Sequence, residues 1–200
     1  MTEQNAHRTV TANIALSLDG RINGPGGEYD MSWIVPHATT SAARDHMVMV
    51  TGTATTALLG RKNFEGFAGF WPAVADDESA DPRDREFSRW LDAAEKVVFS
   101  TTLKEAVWDN ARIAGTDPVT AVRRLREQEG GDIIVLASAS VIRSLLQAGE
   151  VDRLSITLCP ELVGGGARLF PDGPSASWTL TSSQVTASGA ICLLYDRAER

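Results

Sequence analysis

Short apolar runs alternate with amphipathic segments along most of this 200-residue chain. Apolar runs of four to eight residues bounded by turn residues predict buried strands, and apolar positions spaced three and four apart predict helices. The predicted strands are Val10 to Leu18, Thr55 to Leu59, Lys96 to Ser100, Asp132 to Ala137 and Arg153 to Cys159. The predicted helices are Thr39 to about Val50, Pro82 to about Ala94, Pro118 to Glu129 and Ser140 to Ala148. Strands that alternate with helices are typical of an α/β protein whose sheet is mostly parallel, with helices on both faces.

The last part of the chain has a different pattern. Two β-rich stretches, Trp178–Val185 and Ala190–Tyr195, predict a terminal antiparallel β-hairpin. The stretch from Gly66 to Arg83 contains Gly, Pro and an acidic middle, and it is predicted to be a long irregular loop. At the helix ends, Asp117 and Pro118 are typical of a helix start, and Gly149 is typical of a helix stop.

Composition narrows the class of protein. Two hundred residues predict one domain spanning 1–200. The net charge of −7 disfavours a nucleic-acid-binding protein. The N-terminal residues lack an apolar signal core and no segment is long enough to span a membrane, so we expect a cytoplasmic protein. Cys159 and Cys192 lie in apolar strand-like runs, which favours reduced core thiols over a disulfide. The three histidines and two cysteines show no zinc-ligand spacing, so no metal site is expected.

The segment from Leu58 to Glu65 combines a strand end with a charged helix start. Gly60 allows close approach of a ligand, and Arg61 and Lys62 add cationic donors to the amides of a helix N-terminus. This pattern predicts one wall of a site for a phosphate-bearing cofactor. The alternative is an ordinary strand-to-helix turn with two solvated cations.

Three other segments follow predicted strands, and the carboxyl ends of parallel strands are where α/β folds bind ligands. Ser100 and Thr101 could hydrogen-bond a ribose or phosphate, or they could form a turn. Ala137 to Ser140 joins a buried strand to a helix whose N-terminus could hold a pyrophosphate, or its serines could simply cap that helix. Asp19, followed by Gly20, could bind a ligand amine or cap a turn.

Other residues leave the chemistry open. Trp33 follows a Gly-rich loop and could stack on a flat heterocycle or cover the core. The run Gly164-Gly165-Gly166 permits a bulge or a close approach of two backbones. The sequence identifies no catalytic residue, and no acid pair stands out. A shortage of proton-transfer groups suits hydride transfer, in which a cofactor carries the reaction.

Several motifs occur in an order that resembles a known family. They are Ser17-Leu18-Asp19-Gly20-Arg21-Ile22, LLGRKNFEGF (58–67), KVVFSTTL (96–103) and the run from Gly130 to Phe170 that contains VDRLSITLCPELVGGGARLF. The chain resembles the dihydrofolate reductase-like superfamily, in the branch that contains the C-terminal reductase domain of the bifunctional riboflavin-biosynthesis deaminase-reductase. The zinc-containing deaminase half has no counterpart in these motifs.

The resemblance implies a fold, a cofactor and a substrate class. It implies an NADPH-binding α/β fold, commonly a homodimer, that reduces a pteridine- or pyrimidine-type heterocycle such as 5-amino-6-(5-phosphoribosylamino)uracil. By matching motifs, Gly60, Arg61 and Lys62 would meet the cofactor phosphates, and Ser100 and Thr101 its adenosine side. The pyrophosphate would lie along Ala137, Ser138, Ala139, Ser140 and Val141. Asp19 and Trp33 would border the nicotinamide and the substrate.

Two departures from the family pattern change these expectations. Dihydrofolate reductases bind the pterin through a carboxylate on the first helix, and the stretch from His37 to Thr40 has none. The riboflavin-pathway reductases carry Glu-Gly-Gly where this chain has Leu136-Ala137-Ser138. We expect Ala137 to accommodate the cofactor if its φ is negative.

Two alternatives to this reductase remain open from the sequence. The first is a non-catalytic binding module on the same fold. The second is a flavin or deazaflavin-type reductase whose flat ring meets the aromatic residues of Phe67–Trp71. A homodimer could form if the terminal β-hairpin and its apolar strand Ile191–Leu194 pair across a two-fold axis.

Overall fold

The computed structural model of the protein describes residues 8–170 and 175–198. Within these residues the strands are β1 (Val10–Ser17), β2 (Ala54–Gly60), β3 (Glu95–Phe99), β4 (Ala111–Ile113), β5 (Asp132–Leu136), β6 (Arg153–Cys159), β7 (Trp178–Val185) and β8 (Ile191–Arg197). The α-helices are α1 (Val35–Ala38), α2 (Ser41–Thr51), α3 (Arg61–Val74), α4 (Pro82–Ala93), α5 (Pro118–Arg126) and α6 (Ala139–Ala148). A short 3₁₀ turn, Ser32–Ile34, precedes α1.

One sheet organises the described residues, in the order β4-β3-β2-β5-β1-β6-β8-β7. The pairs from β4 to β6 are parallel, and β8 and β7 are added antiparallel at one end. The structure therefore confirms the predicted fold class, an α/β sheet that is mostly parallel with a C-terminal antiparallel hairpin.

Helices cover both faces of this sheet. On one face α5 and α6 pack through Val122, Leu125 and Leu145 against one set of alternate strand residues. On the other face α3 and α4 supply Phe64 and Leu91 to a second cluster. Alternation along the parallel strands divides their side chains between the two cores, as the period-2 geometry of a strand requires.

The expectation of an irregular loop from Gly66 to Arg83 is wrong. Helix α3 continues to Val74 despite Gly66, Gly69 and Pro72, and only the short connection before α4 is irregular. Phe67 and Trp71 recur one turn apart and pack against the cluster under α4, and this burial outweighs the low helix propensity of the segment. Ser88 of α4 donates a hydrogen bond of 2.5 Å to the Trp71 carbonyl beside the proline.

Sequence analysis missed β4, a three-residue strand that pairs with β3 at the edge of the sheet. It also missed α1, which is a single turn. The suggestion that Ile191–Leu194 pairs across a two-fold axis is wrong as stated. These residues belong to β8, whose two edges are hydrogen-bonded to β6 and β7, so β8 has no free edge for a partner.

Both cysteines are free and buried, as predicted. Burial raises the pKa of the Cys159 thiol to about 12. The described helices include none with both the length and the apolar character needed to cross a bilayer.

Candidate functional site

A large cleft opens at the carboxyl ends of the parallel strands, with a volume of about 1520 Å³. Typical small-molecule sites enclose about 300–1,000 Å³, so this cleft has room for a ligand larger than a single ring system. It brings together three of the four strand-end segments identified from the sequence. Those segments are Gly60–Lys62, Ser100–Thr101 and Ala137–Ser140.

The first wall of the cleft is the N-terminus of α3. Gly60 is the N-cap and contributes no side-chain hydrogen bond, and the first turn contains no acidic residue. The first helical residues are Arg61 and Lys62, which lie where cations oppose the helix dipole. Arg61 pairs with Glu65 one turn later at 2.8 Å, and Lys62 pairs with Glu28 of the Gly-rich loop. Helix stability does not explain this placement of two cations, whereas anion binding does.

The second wall is the N-terminus of α6, which Ser138 ties to the first. The Ser138 hydroxyl accepts a hydrogen bond from the Gly60 N–H at 2.8 Å and donates one to the Leu136 carbonyl at 2.8 Å. The hydroxyl is directed into this link and accepts no hydrogen bond from the first-turn amides of α6. The two helix starts are thereby held side by side at the edge of the cleft.

The starts of α3 and α6 differ from those of the other described helices that are longer than one turn; the single-turn helix α1 also lacks a side-chain cap. The described helices α2, α4 and α5 each have an N-cap side chain, from Thr40, Asp81 and Asp117, that accepts a hydrogen bond from a first-turn amide. The starts of α3 and α6 have no such cap and no acidic residue in the first turn. The N-termini of α3 and α6 therefore keep their first-turn amides and positive dipole ends available for an anion, whereas the start of α5, which also lines the cleft, is capped by Asp117.

The negative φ under which Ala137 was expected to accommodate the cofactor is not observed. Its φ is +49°, in the left-handed region that favours glycine. An alanine in this conformation carries a steric cost of roughly 1–2 kcal/mol, which glycine, the residue of the family pattern at this point, would not carry.

Ser100 and Thr101 follow β3 and line the cleft. The Ser100 hydroxyl accepts hydrogen bonds from the amides of Thr102 and Leu103, at 3.2 Å and 2.8 Å, and so closes a turn. Thr101 is exposed beside it. The predicted turn is therefore confirmed, and hydrogen bonding of these hydroxyls to a ribose or phosphate stays a prediction.

Asp19 is not on the cleft wall. Its carboxylate accepts hydrogen bonds from the Ser17 hydroxyl at 2.6 Å and from the amides of Val163 and Gly164, both at 3.1 Å. These bonds, led by the one from Ser17, lower the pKa of Asp19 to about 2. Asp19 therefore holds the glycine-rich loop after β6 through hydrogen bonds to its backbone amides, which corrects the expectation that Asp19 borders the substrate.

The same loop explains the glycine run. Gly166 has a φ of +88°, and a Cβ at this position would collide with the Asn23 carbonyl oxygen. The close approach of two backbones predicted for Gly164–Gly166 is confirmed. Asn23 completes the junction, since its side-chain oxygen accepts a hydrogen bond from the Ala167 amide at 3.0 Å.

Two further predicted residues lie off the cleft wall. Val141 is 2% exposed and packs in the core beneath α6, so its side chain cannot contact a ligand. Trp33 lies in the 3₁₀ turn before α1 and is absent from the lining, and its indole N–H has no hydrogen-bond partner among the described residues. Its neighbour Ile34 lines the cleft instead.

Sequence analysis missed Arg143, which lines the cleft one turn into α6. Its Nε donates to the Ala139 carbonyl at 3.2 Å, and it forms no ion pair within the part of the chain that the structure describes. The helical spacing from Ser140 to Arg143 places both on one side of the helix, and this spacing could have identified the residue.

Sequence analysis also missed Asn13, a polar residue inside the apolar run of β1 that lines the deep part of the cleft. Its side-chain amide donates a hydrogen bond to the Ser155 hydroxyl at 2.9 Å, and that hydroxyl lies 2.7 Å from Nε2 of His46. Burial lowers the pKa of His46 to about 4, so its imidazole is neutral at pH 7 and accepts a hydrogen bond from the Ser155 hydroxyl. This buried chain fixes the orientation of the Asn13 carboxamide.

Known proteins share the sequence or the fold of this chain over nearly its whole length. The uncharacterized protein YyaP of Bacillus subtilis (strain 168) is 27% identical over 197 residues, which is 98% of each chain. A protein assigned to riboflavin biosynthesis from Shewanella sp. PV-4 superposes with a TM-score of 0.69 at 21% identity, covering 96% of this chain and 99% of that one. Dihydrofolate reductase from Enterococcus faecalis, solved with NADP(H), superposes with a TM-score of 0.60 at 18% identity, covering 96% and 97%.

The fold and the cleft thus define an α/β protein of the dihydrofolate reductase-like class, with an anion-receptive edge at its strand ends. A sequence model of the RibD C-terminal domain matches residues 8–192. The chain belongs to the RibD C-terminal domain family.

Proposed function

We propose that this protein is an NADPH-dependent reductase of a small pteridine- or pyrimidine-type heterocycle. The observation that carries this proposal is the pair of uncapped, acid-free helix N-termini on the cleft, with Arg61, Lys62 and Arg143 beside them. Such an edge suits the phosphates of a dinucleotide. The likeness to a dihydrofolate reductase solved with NADP(H) supports the same cofactor.

In this proposal the cofactor phosphates lie between the two helix starts. A Cβ at Gly60 would lie 3.7 Å from the Ser138 Oγ and 3.9 Å from the Ser140 Oγ, so the missing side chain leaves open the gap between the helices. The amides of the first turns, together with the backbone of Ala137–Ser140, would bind the pyrophosphate. The cations Arg61 and Lys62 would bind the phosphate that distinguishes NADPH from NADH. The segment Ser100–Thr101 would meet the adenosine side.

When bound, NADPH supplies the hydride. The protein then has to exclude water, orient the two rings and allow one proton to reach the product. Each carboxylate lining the cleft in the described chain already has a partner. Glu28 pairs with Lys62, Asp77 with the Ser79 hydroxyl, Asp84 with Arg44, and Asp117 caps α5. We therefore propose water or the substrate itself as the proton source.

The pairing of all four cleft-lining carboxylates of the described chain also supports a second candidate function. A cleft whose carboxylates are all engaged could bind a nucleotide without turnover, as a binding module on a reductase fold. The two functions share the cofactor site and differ only in whether NADPH is consumed when a pterin or aminouracil is added.

Titration of the protein with NADPH and NADH, followed by quenching of tryptophan fluorescence, tests the cofactor site. We expect tighter binding of NADPH, because charge-assisted hydrogen bonds to a phosphate are worth about 1.5–3 kcal/mol, or roughly 10–100-fold in affinity. The double substitution Arg61→Ala and Lys62→Ala should bring the two affinities together.

A matched control removes the same two charges elsewhere. Lys104 and Arg124 are exposed and lie outside the cleft lining, so Lys104→Ala with Arg124→Ala should leave the preference for NADPH intact. Equal affinity for NADPH and NADH in the unmodified protein would refute the phosphate-binding role of Arg61 and Lys62. Failure of either cofactor to bind would refute the proposed function.

A further inference from the structure

The end of the cleft farthest along α3 has an aromatic wall. Phe67, Phe70 and Trp71 line it from α3, and Met47 and Phe87 line it from α2 and α4. The Trp71 ring lies between its neighbours, with ring centroids 5.2 Å from Phe70 and 4.6 Å from Phe87, both edge-to-face. Phe70 is 60% exposed, although the rings behind it are packed. A large apolar ring held in place and left uncovered inside a cleft is typical of a ligand-binding surface.

The charged residues at this end are already paired. Arg44 donates from Nε to both carboxylate oxygens of Asp84, each at 2.9 Å, and its Nη1 lies 3.7 Å from Asp81. The hydrogen bonds that Arg44 donates to Asp84 raise the pKa of Arg44.

Arg83, the other cleft-lining cation here, is paired in the same way. It contacts Asp81 at 2.7 Å and Asp45 at 2.8 Å. Its hydrogen bonds hold the pKa of Asp81 well below the usual range. Two guanidiniums therefore face three carboxylates, and the local charge is negative.

A phosphate at this end would have to displace carboxylates that already bind these arginines. It would also approach a region with an excess of negative charge, and this repulsion would weaken its binding. The opposite end of the cleft differs in its balance of charge. Arg61 and Lys62 are each paired with one carboxylate, of Glu65 and Glu28, and Arg143 has no carboxylate partner among the described residues. Three cations therefore face two carboxylates there, beside the N-termini of α3 and α6. The two ends are thus suited to different chemical groups.

From this we propose that the substrate is a flat aromatic heterocycle that carries no phosphate. It lies against Phe70, at the end of the cleft away from the N-termini of α3 and α6. This inference rests on the proposed function for the role of the other end, and it narrows the substrate class. It disfavours phosphoribosyl-bearing pyrimidines and favours unphosphorylated bicyclic or tricyclic rings.

Riboflavin and FMN form a matched pair of probes, because they share the tricyclic ring and differ by one phosphate. Binding is measured by flavin fluorescence in the presence of saturating NADP⁺, which keeps the helix N-termini occupied. The same titration is repeated without NADP⁺ in the Arg61→Ala and Lys62→Ala variant, where the FMN phosphate loses its anchor at α3. We expect riboflavin to bind roughly ten-fold more tightly than FMN in both settings.

Substitution of Phe70 tests the location. Phe70→Ala should weaken riboflavin binding roughly ten-fold, because it removes the ring on which the flavin stacks. Phe70→Tyr should retain binding. Phe170→Ala is the matched control, since Phe170 is also exposed and lies outside the cleft lining. Because Phe70 is exposed, its loss should leave the thermal midpoint nearly unchanged.

Equal or tighter binding of FMN in both settings would overturn the inference, as would riboflavin binding that is unaffected by Phe70→Ala. These outcomes are distinct from failure of the proposed function, which is read from NADPH titration alone. If NADPH does not bind but riboflavin binds at Phe70 in preference to FMN, the cofactor assignment fails and the inference about the aromatic end stands.

Discussion

At the scale of single residues, Ala137 shows how one position joins backbone strain to the site. It holds a left-handed conformation next to the helix start that we assign to the cofactor. Replacement by glycine relieves strain of roughly 1–2 kcal/mol but also adds freedom to the unfolded chain, worth about 0.4–1 kcal/mol. We therefore expect Ala137→Gly to raise the free energy of unfolding by about 0.5–1 kcal/mol, measured by urea denaturation.

The control for this prediction is Ala148→Gly, at an exposed position in the last turn of α6 with helical backbone. There the same change should lower stability, by up to about 1 kcal/mol, because glycine is a poor helix former. A loss of stability in both variants would contradict the assignment of strain to Ala137.

At the scale of elements, the sequence predicted most of the α/β alternation because burial patterns and caps are local. Asp117 caps α5 through the amides of Val119 and Thr120, and Gly149 ends α6 with a φ of +74°, both as expected. Elements that depend on tertiary contacts were missed. Helix α3 passes through Pro72 because packing on α4 stabilises it, and β4 exists only as an addition to β3.

The site was predictable to the same degree. The helix starts at Gly60 and near Ser138 follow from strand-to-helix boundaries, which are local features. The alignment of Asp19 with the glycine-rich loop depends on residues more than 140 positions away in the chain, at Val163 and Gly164, and no local pattern reveals it. The same holds for Asn13, whose role depends on Ser155 and His46.

Helix α2 carries a pH-dependent contact to the sheet. The folded pKa of His46 is about 4 against 6.5 for the free side chain, so the unfolded chain binds the proton more tightly. Stability from the neutral imidazole is fully present above pH 6.5 and is lost as the pH falls toward 4. By linkage we expect a loss of about 2 kcal/mol at pH 5, measured by urea denaturation at pH 7.5 and 5.

His46→Gln separates this contribution from other titrations. The glutamine side-chain oxygen can accept a hydrogen bond from the Ser155 hydroxyl but does not titrate. The variant should therefore lose less stability between pH 7.5 and pH 5 than the unmodified protein does. Identical losses in the two proteins would show that His46 does not control acid stability.

At the scale of the whole molecule, the sheet formed by residues 8–170 and 175–198 ends in a strand, β7, that no other described element covers. Every residue of β7 is at least partly exposed, and Val185 is 70% exposed. The register places Val185 beside Ile191 and Leu158, so these side chains share one face of the sheet. A long edge strand with an apolar face is prone to association.

We propose that two copies of the chain associate through β7, in place of the β8 pairing suggested by the sequence. Light scattering should then give twice the chain mass of 21.5 kDa. Val185→Asp should shift the protein to the monomer, because a carboxylate would be buried without a partner. Val107→Asp, at a residue 77% exposed outside β7, should leave the dimer intact. A monomeric mass for the unmodified protein would exclude this association.

The hydrogen bond from the Gly60 N–H to the Ser138 hydroxyl also has a kinetic meaning. It connects positions separated by 78 residues in the chain, next to the paired strands β2 and β5, so a chain in which these strands are not paired lacks this contact between the two helix starts. Pairing of parallel strands that are distant in the chain is slow to form. Partly folded chains would therefore lack the complete form of the proposed dinucleotide site. The cofactor would then stabilise only the finished fold, by an amount that grows with the logarithm of its concentration. Its concentration in the cell would in that way influence how long each chain escapes proteolysis.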